Sequence, residues 1–193
     1  MFAQEIKIDK SEIVSDFFYT YKKITFSMKV DGKWDQQTRE ILDRGNGATI
    51  LLYNPTKNTV ILTRQFRLPT YLNGNTTGMM IEACAGSIED ESPLENIIRE
   101  TEEETGYHIS KPIKIFEAYM SPAAVTEIIY FFMAEYDETM KKSTGGGESS
   151  EHEHIEVMEL TFSEALKLVK NGEIKDAKTI MLLQYAQINQ LMV

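Results

Sequence analysis

Three glutamates, Glu100, Glu103 and Glu104, stand in the run Arg99-Glu100-Thr101-Glu102-Glu103-Glu104. On a helix, at about 100° per residue, their i, i+3, i+4 spacing puts them on one narrow arc. Like charges so placed repel by about 0.2–0.5 kcal/mol per pair. Near a helix C-terminus the dipole disfavours them further. An arc that carries both penalties is suited to hold a cation, and carboxylate oxygens without His or Cys suit Mg²⁺ or Mn²⁺. The alternative is a solvated acidic helix face. Arg99, four residues before Glu103, can orient it through an ion pair. Leu94, Ile97, Ile98, Thr101 and Thr105 fall on a different arc, suited to a core.

Other side chains fit the same chemistry less specifically. Arg67 ends an apolar run, and its forked donors can hold a phosphate or make a surface ion pair. Phe17, Phe18 and Tyr19 can stack on a base or pack in a core. The polar stretch 136–154 holds Gly145-Gly146-Gly147 and Glu151-His152-Glu153-His154. It reads as a mobile loop, either functional or mere linker. Its two histidines read as solvated rather than as zinc ligands.

These residues need elements to position them. Ile24, Phe26, Met28 and Val30 alternate with Lys23, Thr25, Ser27 and Lys29, a half-buried strand. Asp31-Gly32 then makes a two-residue hairpin turn, with a return strand at about 33–43. Residues 1–43 are expected to form an antiparallel N-terminal β-subdomain, and residues 44–193 the main domain, which carries the glutamates. Strands are expected near 48–53, 59–66, 80–85, 113–119, 127–135 and 155–160, with a polar loop at 86–91. The glutamates ride a helix at 93–105, with Ser92 as N-cap, Pro93 at the first position and Gly106 as the stop. Helices are also expected at 163–170 and 177–191. The class is α+β with a mixed sheet.

Composition excludes several functions. The chain of 193 residues is 42% hydrophobic and 26% charged, a folded rather than disordered balance. The longest apolar stretch, residues 128–134, is far short of the roughly 20 residues of a membrane helix, so no membrane partner is expected. A net charge of -10 argues against nucleic acid as a partner. Anionic small molecules stay open, because bound divalent metal reverses the local sign. A single cysteine, Cys84, excludes an internal disulfide and a multi-cysteine zinc site. With no basic and apolar leader at the start, a cytoplasmic location is expected.

The pattern of strand, Gly86, loop, acidic helix and Gly106 resembles the Nudix hydrolase family. Residues Arg99-Glu100-Thr101-Glu102-Glu103-Glu104-Thr105-Gly106-Tyr107 match the second half of its box. The first half departs, since Gly86 lies one residue too close to Arg99. Glu91 keeps the seven-residue gap to Arg99 with a shorter loop before it. A wider likeness, to the nucleoside-diphosphate-sugar branch, rests on Arg44-Gly45-Asn46-Gly47, Arg64-Gln65-Phe66-Arg67, Glu82-Ala83-Cys84-Ala85-Gly86 and Tyr119-Met120-Ser121-Pro122. Thr126-Glu127, the triple glycine and Ile155-Glu156-Val157 add to it.

The resemblance implies a Nudix fold, a mixed sheet sandwiched by helices. It implies Mg²⁺-dependent hydrolysis of a nucleoside diphosphate sugar, with Mn²⁺ as a substitute. Within the branch the short-loop box is most similar to enzymes that split GDP-mannose into GMP and mannose 1-phosphate. ADP-ribose is the alternative substrate, and a non-catalytic nucleotide-sugar sensor the alternative of another class. The implied metal ligands are Glu100, Glu104, Glu153 and the backbone carbonyl of Ala85, with Glu103 as a further ligand or support. The implied general base is Glu153, with Glu151 as rival. Substrate contacts carried over are Phe18, Thr38, Arg39, Glu40, Arg67, Ala85, Gly86, Glu104, Glu127, His152, Glu153 and Lys178. The first four, in the N-terminal sheet, are expected to serve the partner's site in a homodimer; the alternative is a ribbon packed on its own domain.

Overall fold

The computed structural model describes residues 5–147 and 154–192. The chain forms two compact units. The first joins Met1–Asn46 with Tyr119–Ile128. Its sheet runs β1 (Glu5–Asp16), β2 (Thr20–Val30), β3 (Lys33–Asp43) in spatial order, antiparallel throughout. The turn between β2 and β3 holds Asp31 at φ 51° and Gly32 at φ 77°. Two positive φ values in succession match the right-handed strand twist, and Asp-Gly supplies them at little strain. The distant segment is sewn to β3: Leu42 N–H donates to Ala124 C=O at 2.8 Å, and Thr126 N–H to Leu42 C=O at 3.2 Å. A division of the chain at 43/44 leaves this segment with the catalytic part; the compact unit takes it in.

The second unit, Gly47–Ala118 with Ile129–Val193, carries a seven-stranded sheet. Its strands are β4 (Asn46–Asn54), β5 (Thr59–Phe66), β6 (Met79–Glu82), β7 (Cys84–Ile88), β8 (Ile113–Tyr119), β9 (Ile128–Glu135) and β10 (Glu156–Thr161). The main order is β10-β5-β4-β9-β8, with β6 added on β5 and β7 on β4. β4 and β9 are parallel, while β10, β5, β4 and β6 pair antiparallel. The sheet is therefore mixed, as expected. β4 and β9 read as nearly continuous apolar runs because helices cover both faces.

On one face lies α2 (Pro93–Thr105), packing Ile97 into a cluster with Ile50, Leu52, Ile61 and Phe132. On the other lies α4 (Ala177–Ile188), where Tyr185 and Phe131 flank Phe116 at 5.8 and 4.5 Å. The short α1 (Leu68–Leu72) follows β5, and α3 (Phe162–Lys170) follows β10. Two expectations need correction. The polar loop begins later than residue 86, because β7 continues to Ile88 on its pairing with β4. Leu94 is 45% exposed rather than core; Asn96 is buried in that region, donating to Ser87 C=O and to Glu91, both at 2.9 Å.

Candidate active site

The acidic helix begins with a capping box: the Ser92 hydroxyl accepts from Glu95 N–H, and the Glu95 carboxylate accepts from Ser92 N–H at 3.0 Å. Pro93 sits in its first turn, and Gly106 stops it in the left-handed conformation, φ 78°. Fixing both ends fixes which way the glutamates face. They are not one exposed stripe. Glu104 is 2% exposed, Glu100 and Glu103 are partly covered, and Glu102 turns away to bond His108. These burials speak against the alternative of a solvated acidic helix face.

Arg99 organises the exposed side. It donates to Glu91 at 2.7 Å, Glu100 at 2.9 Å and Glu103 at 2.6 Å. The bond to Glu91 raises the Arg99 guanidinium above its ordinary value, against the opposing effect of burial, and the charges of Glu100 and Glu103 add to it. Glu91 is in turn held below its ordinary value, first by Arg99 and then by Asn96. The glutamate of the box's irregular half thus serves as a brace for Arg99.

Two carboxylates flank the Ala85–Gly86 backbone. Glu104 Oε2 accepts from Ala85 N–H at 3.3 Å. Glu100 lies over Gly86 so closely that a Cβ there would stand 2.1 Å from its Cδ. Only glycine admits that carboxylate. Burial pushes the neighbouring Cys84 thiol well above its ordinary value, and Glu104's charge adds to it. The donor set is hard oxygen on a glycine-cleared backbone, which fits a divalent cation of the Mg²⁺ type. Among the described residues no group of three His, Cys, Asp or Glu side chains gathers as a metal site. Two carboxylates and a backbone stretch are what this part supplies.

The loop expected to carry the base is anchored on the same helix. Gly146 N–H donates to Glu104 C=O at 2.9 Å, and Gly147 N–H to Glu103 C=O at 3.1 Å. These bonds satisfy carbonyls that every helix C-terminus leaves unpaired. Ile155 N–H donates back to Gly146 C=O at 3.1 Å, closing the neck. Gly145 must be glycine, since its φ is 67° and a Cβ would lie 2.4 Å from Glu104 O. A cleft of about 390 Å³ opens here, lined by Arg99, Glu102, Glu103 and the glycine loop. Glu151, His152 and Glu153 lie outside the described residues.

Arg67 and Lys178 are also in this unit. Arg67 grips buried Glu82 with Nε at 3.1 Å and Nη2 at 2.9 Å. Burial lowers the Arg67 guanidinium, but the Glu82 pair outweighs it and holds the group above its ordinary value, with Glu104 and Asp176 adding attraction. Lys178 donates to Asp176 at 2.6 Å. Sequence reasoning gave no role to Glu82 or Asp176, the acids that hold these two cations. The available signal was a lone acid, Glu82, inside an apolar strand.

The remaining predicted contacts belong to the N-terminal unit. Phe18 is 81% exposed and meets Tyr19 edge-on at 5.0 Å. Thr38 faces Thr25 at 3.3 Å, Arg39 donates to Gln37 at 2.6 Å, and Glu40 accepts from the Tyr21 hydroxyl. Glu127, 9% exposed, pairs with Arg44 at 3.3 Å.

A family model described as NUDIX domain matches residues 43–183. The chain is 54% identical to the GDP-mannose pyrophosphatase of Pectobacterium atrosepticum, over 96% of each chain. It is 51% identical to the protein of that name from Salmonella arizonae, and 50% identical to that from Escherichia coli O1:K1 / APEC. Those two matches span 98% of this chain and 99% of the relative.

Proposed function

The chain belongs to the NUDIX domain family, and from that premise we propose that it hydrolyses GDP-mannose to GMP and mannose 1-phosphate with Mg²⁺ as cofactor. Family membership already implies a divalent-metal-dependent diphosphatase. One observation carries the finer reading: half or more of the residues are identical to GDP-mannose pyrophosphatases along nearly the full length. Glu100, Glu104, the Ala85 carbonyl and Glu153 would hold the metal. When bound, it neutralises diphosphate charge and makes water a competent nucleophile at neutral pH.

The chain's own residues supply the rest. Arg67 and Lys178 bind the phosphates through directed N–H donors. Glu103, braced by Arg99, holds the acidic arc in order. Glu153 accepts the proton of the attacking water; the bonds of Gly146 and Gly147, in the same stretch, to the Glu104 and Glu103 carbonyls support this reading. Glu127, His152 and the N-terminal Phe18, Thr38, Arg39 and Glu40 contact the base and sugar, the last four across a homodimer. The dimer is supported by the bare apolar side chains of the first unit, with Ile8 60%, Ile13 63% and Phe17 96% exposed. A groove of about 800 Å³ in that unit includes Ile8, Phe26 and Arg39. Light scattering at micromolar concentration should give twice the chain mass; a monomer would refute the shared site. No helix among the described residues is long and apolar enough to cross a membrane. A cytoplasmic location is supported by the single, buried Cys84.

The test is product identification by anion-exchange chromatography, with GDP-mannose and ADP-ribose run in parallel. GMP and mannose 1-phosphate released faster than AMP is the expected result. Faster AMP release would move the substrate to ADP-ribose. No product from either would favour a sensor.

A further inference from the structure

The two cations assigned to the substrate's phosphates are each tied to a carboxylate, and the two ties belong to one chain of contacts. Arg67 uses Nε and Nη2 on Glu82, which is 4% exposed. The next residue, Ala83, donates its N–H to Thr179 Oγ1 at 2.6 Å. Thr179 is wholly buried and donates its hydroxyl to Asp176 Oδ2 at 2.7 Å. The same oxygen accepts Thr179 N–H at 2.9 Å, which makes Asp176 the N-cap of α4. Asp176 Oδ1 accepts from Lys178 Nζ at 2.6 Å. One hydroxyl can accept and donate at once, and Thr179 does both.

An arginine or lysine side chain free in water samples many rotamers, and ordering it on binding weakens the complex. Here that ordering is done beforehand. The guanidinium is gripped along one edge, with Nη1 outside the Glu82 bonds, and Arg67 is 42% exposed at its side chain. The Lys178 ammonium has three donors and gives one to Asp176. Each carboxylate also cancels its partner's charge. What the frame offers a diphosphate is therefore aimed N–H groups rather than a positive field.

We propose that Glu82 and Asp176 are positioning residues, which through Thr179 and the Ala83 backbone set Arg67 and Lys178 in one rigid frame for the diphosphate. The inference rests on the reading of the chain as a GDP-mannose hydrolase. The test is steady-state kinetics with GDP-mannose at saturating Mg²⁺. Glu82→Gln and Asp176→Asn should each raise KM about tenfold while kcat stays within about threefold. Glu82→Gln should add less than about twofold to KM once Arg67 is already Met, and Asp176→Asn likewise once Lys178 is Met. A merely structural role would raise KM by the same factor in both backgrounds, and that result overturns the proposal. Should Glu82→Gln fail to fold on a thermal melt, Thr179→Val against Thr179→Ser decides. Val should raise KM and Ser should restore it; equal values for the two would overturn the proposal. A wild-type chain inactive on GDP-mannose would remove the functional reading and this inference with it. An active wild type with background-independent losses removes the inference alone.

Discussion

The carboxylate helix with its neighbours and the N-terminal sheet differ in how their candidate cations are held, Arg99 and Arg67 on one side and Arg39 on the other. On the helix side three charged candidates are braced from another part of the chain: Arg99 by Glu91, Arg67 by Glu82, Glu104 by the Ala85 backbone. In the N-terminal sheet Thr38 and Glu40 bond across strands to Thr25 and Tyr21, while Arg39 and Phe18 meet residues near them in sequence. Arg39 donates to the Thr38 carbonyl and to Gln37, and Phe18 touches Tyr19 and is otherwise largely bare. The first arrangement is preorganised within one chain, as catalysis by positioning and charge requires. The second is what a surface shows when a second copy is to complete it, as we propose here.

The comparison can be broken from either side. The largest effect is expected from the loop base: Glu153→Gln should lower kcat about 10²–10⁴-fold with a smaller change in KM, measured by GMP release. If Glu151→Gln gives the larger loss, the base moves two residues. Gly86→Ala should follow, at about 10²-fold, because the new methyl must push the Glu100 carboxylate aside. Its melting temperature should change little, since the displaced group is the end of a flexible side chain. An active Gly86→Ala enzyme would show that Glu100 need not lie where it does. Arg39→Ala should raise KM about tenfold without altering the melt. Unchanged kinetics would take the N-terminal sheet out of the site.

The smallest effect sharpens the bracing idea. Glu91 is held below its ordinary value, so its pair with Arg99 stabilises the fold above the unfolded value and loses that contribution as pH falls through the folded one. Glu91→Gln should therefore lower the melting temperature by about 1–3 °C at pH 7, as expected for a partly exposed pair, and by less at pH 3. A difference that grows on acidification would contradict the assignment.

Local signals made part of this legible. Ser92, Pro93, Glu95 and Gly106 announce the helix by capping chemistry, and Asp31-Gly32 the hairpin by its φ demands. Those rules act within a few residues. What escaped was long-range. Nothing local to residues 119–128 says that they join β3. Glu104 is buried and bonded to Ala85, nineteen positions away in sequence. Glu82 and Asp176 gain meaning only when β6 and the start of α4 meet through Ala83 and Thr179. A short carboxylate run was enough to suggest metal chemistry; which carboxylate is deepest depends on the fold.

The most direct test of the central claim is GMP release from GDP-mannose after EDTA treatment, with Mg²⁺ titrated back into the wild type and Glu104→Gln side by side. The account predicts no turnover without a divalent cation, full recovery in the wild type, and a rate in the variant that stays lower by about 10³-fold at every Mg²⁺ concentration. Turnover without a divalent cation, or a variant that recovers at high Mg²⁺, would contradict it.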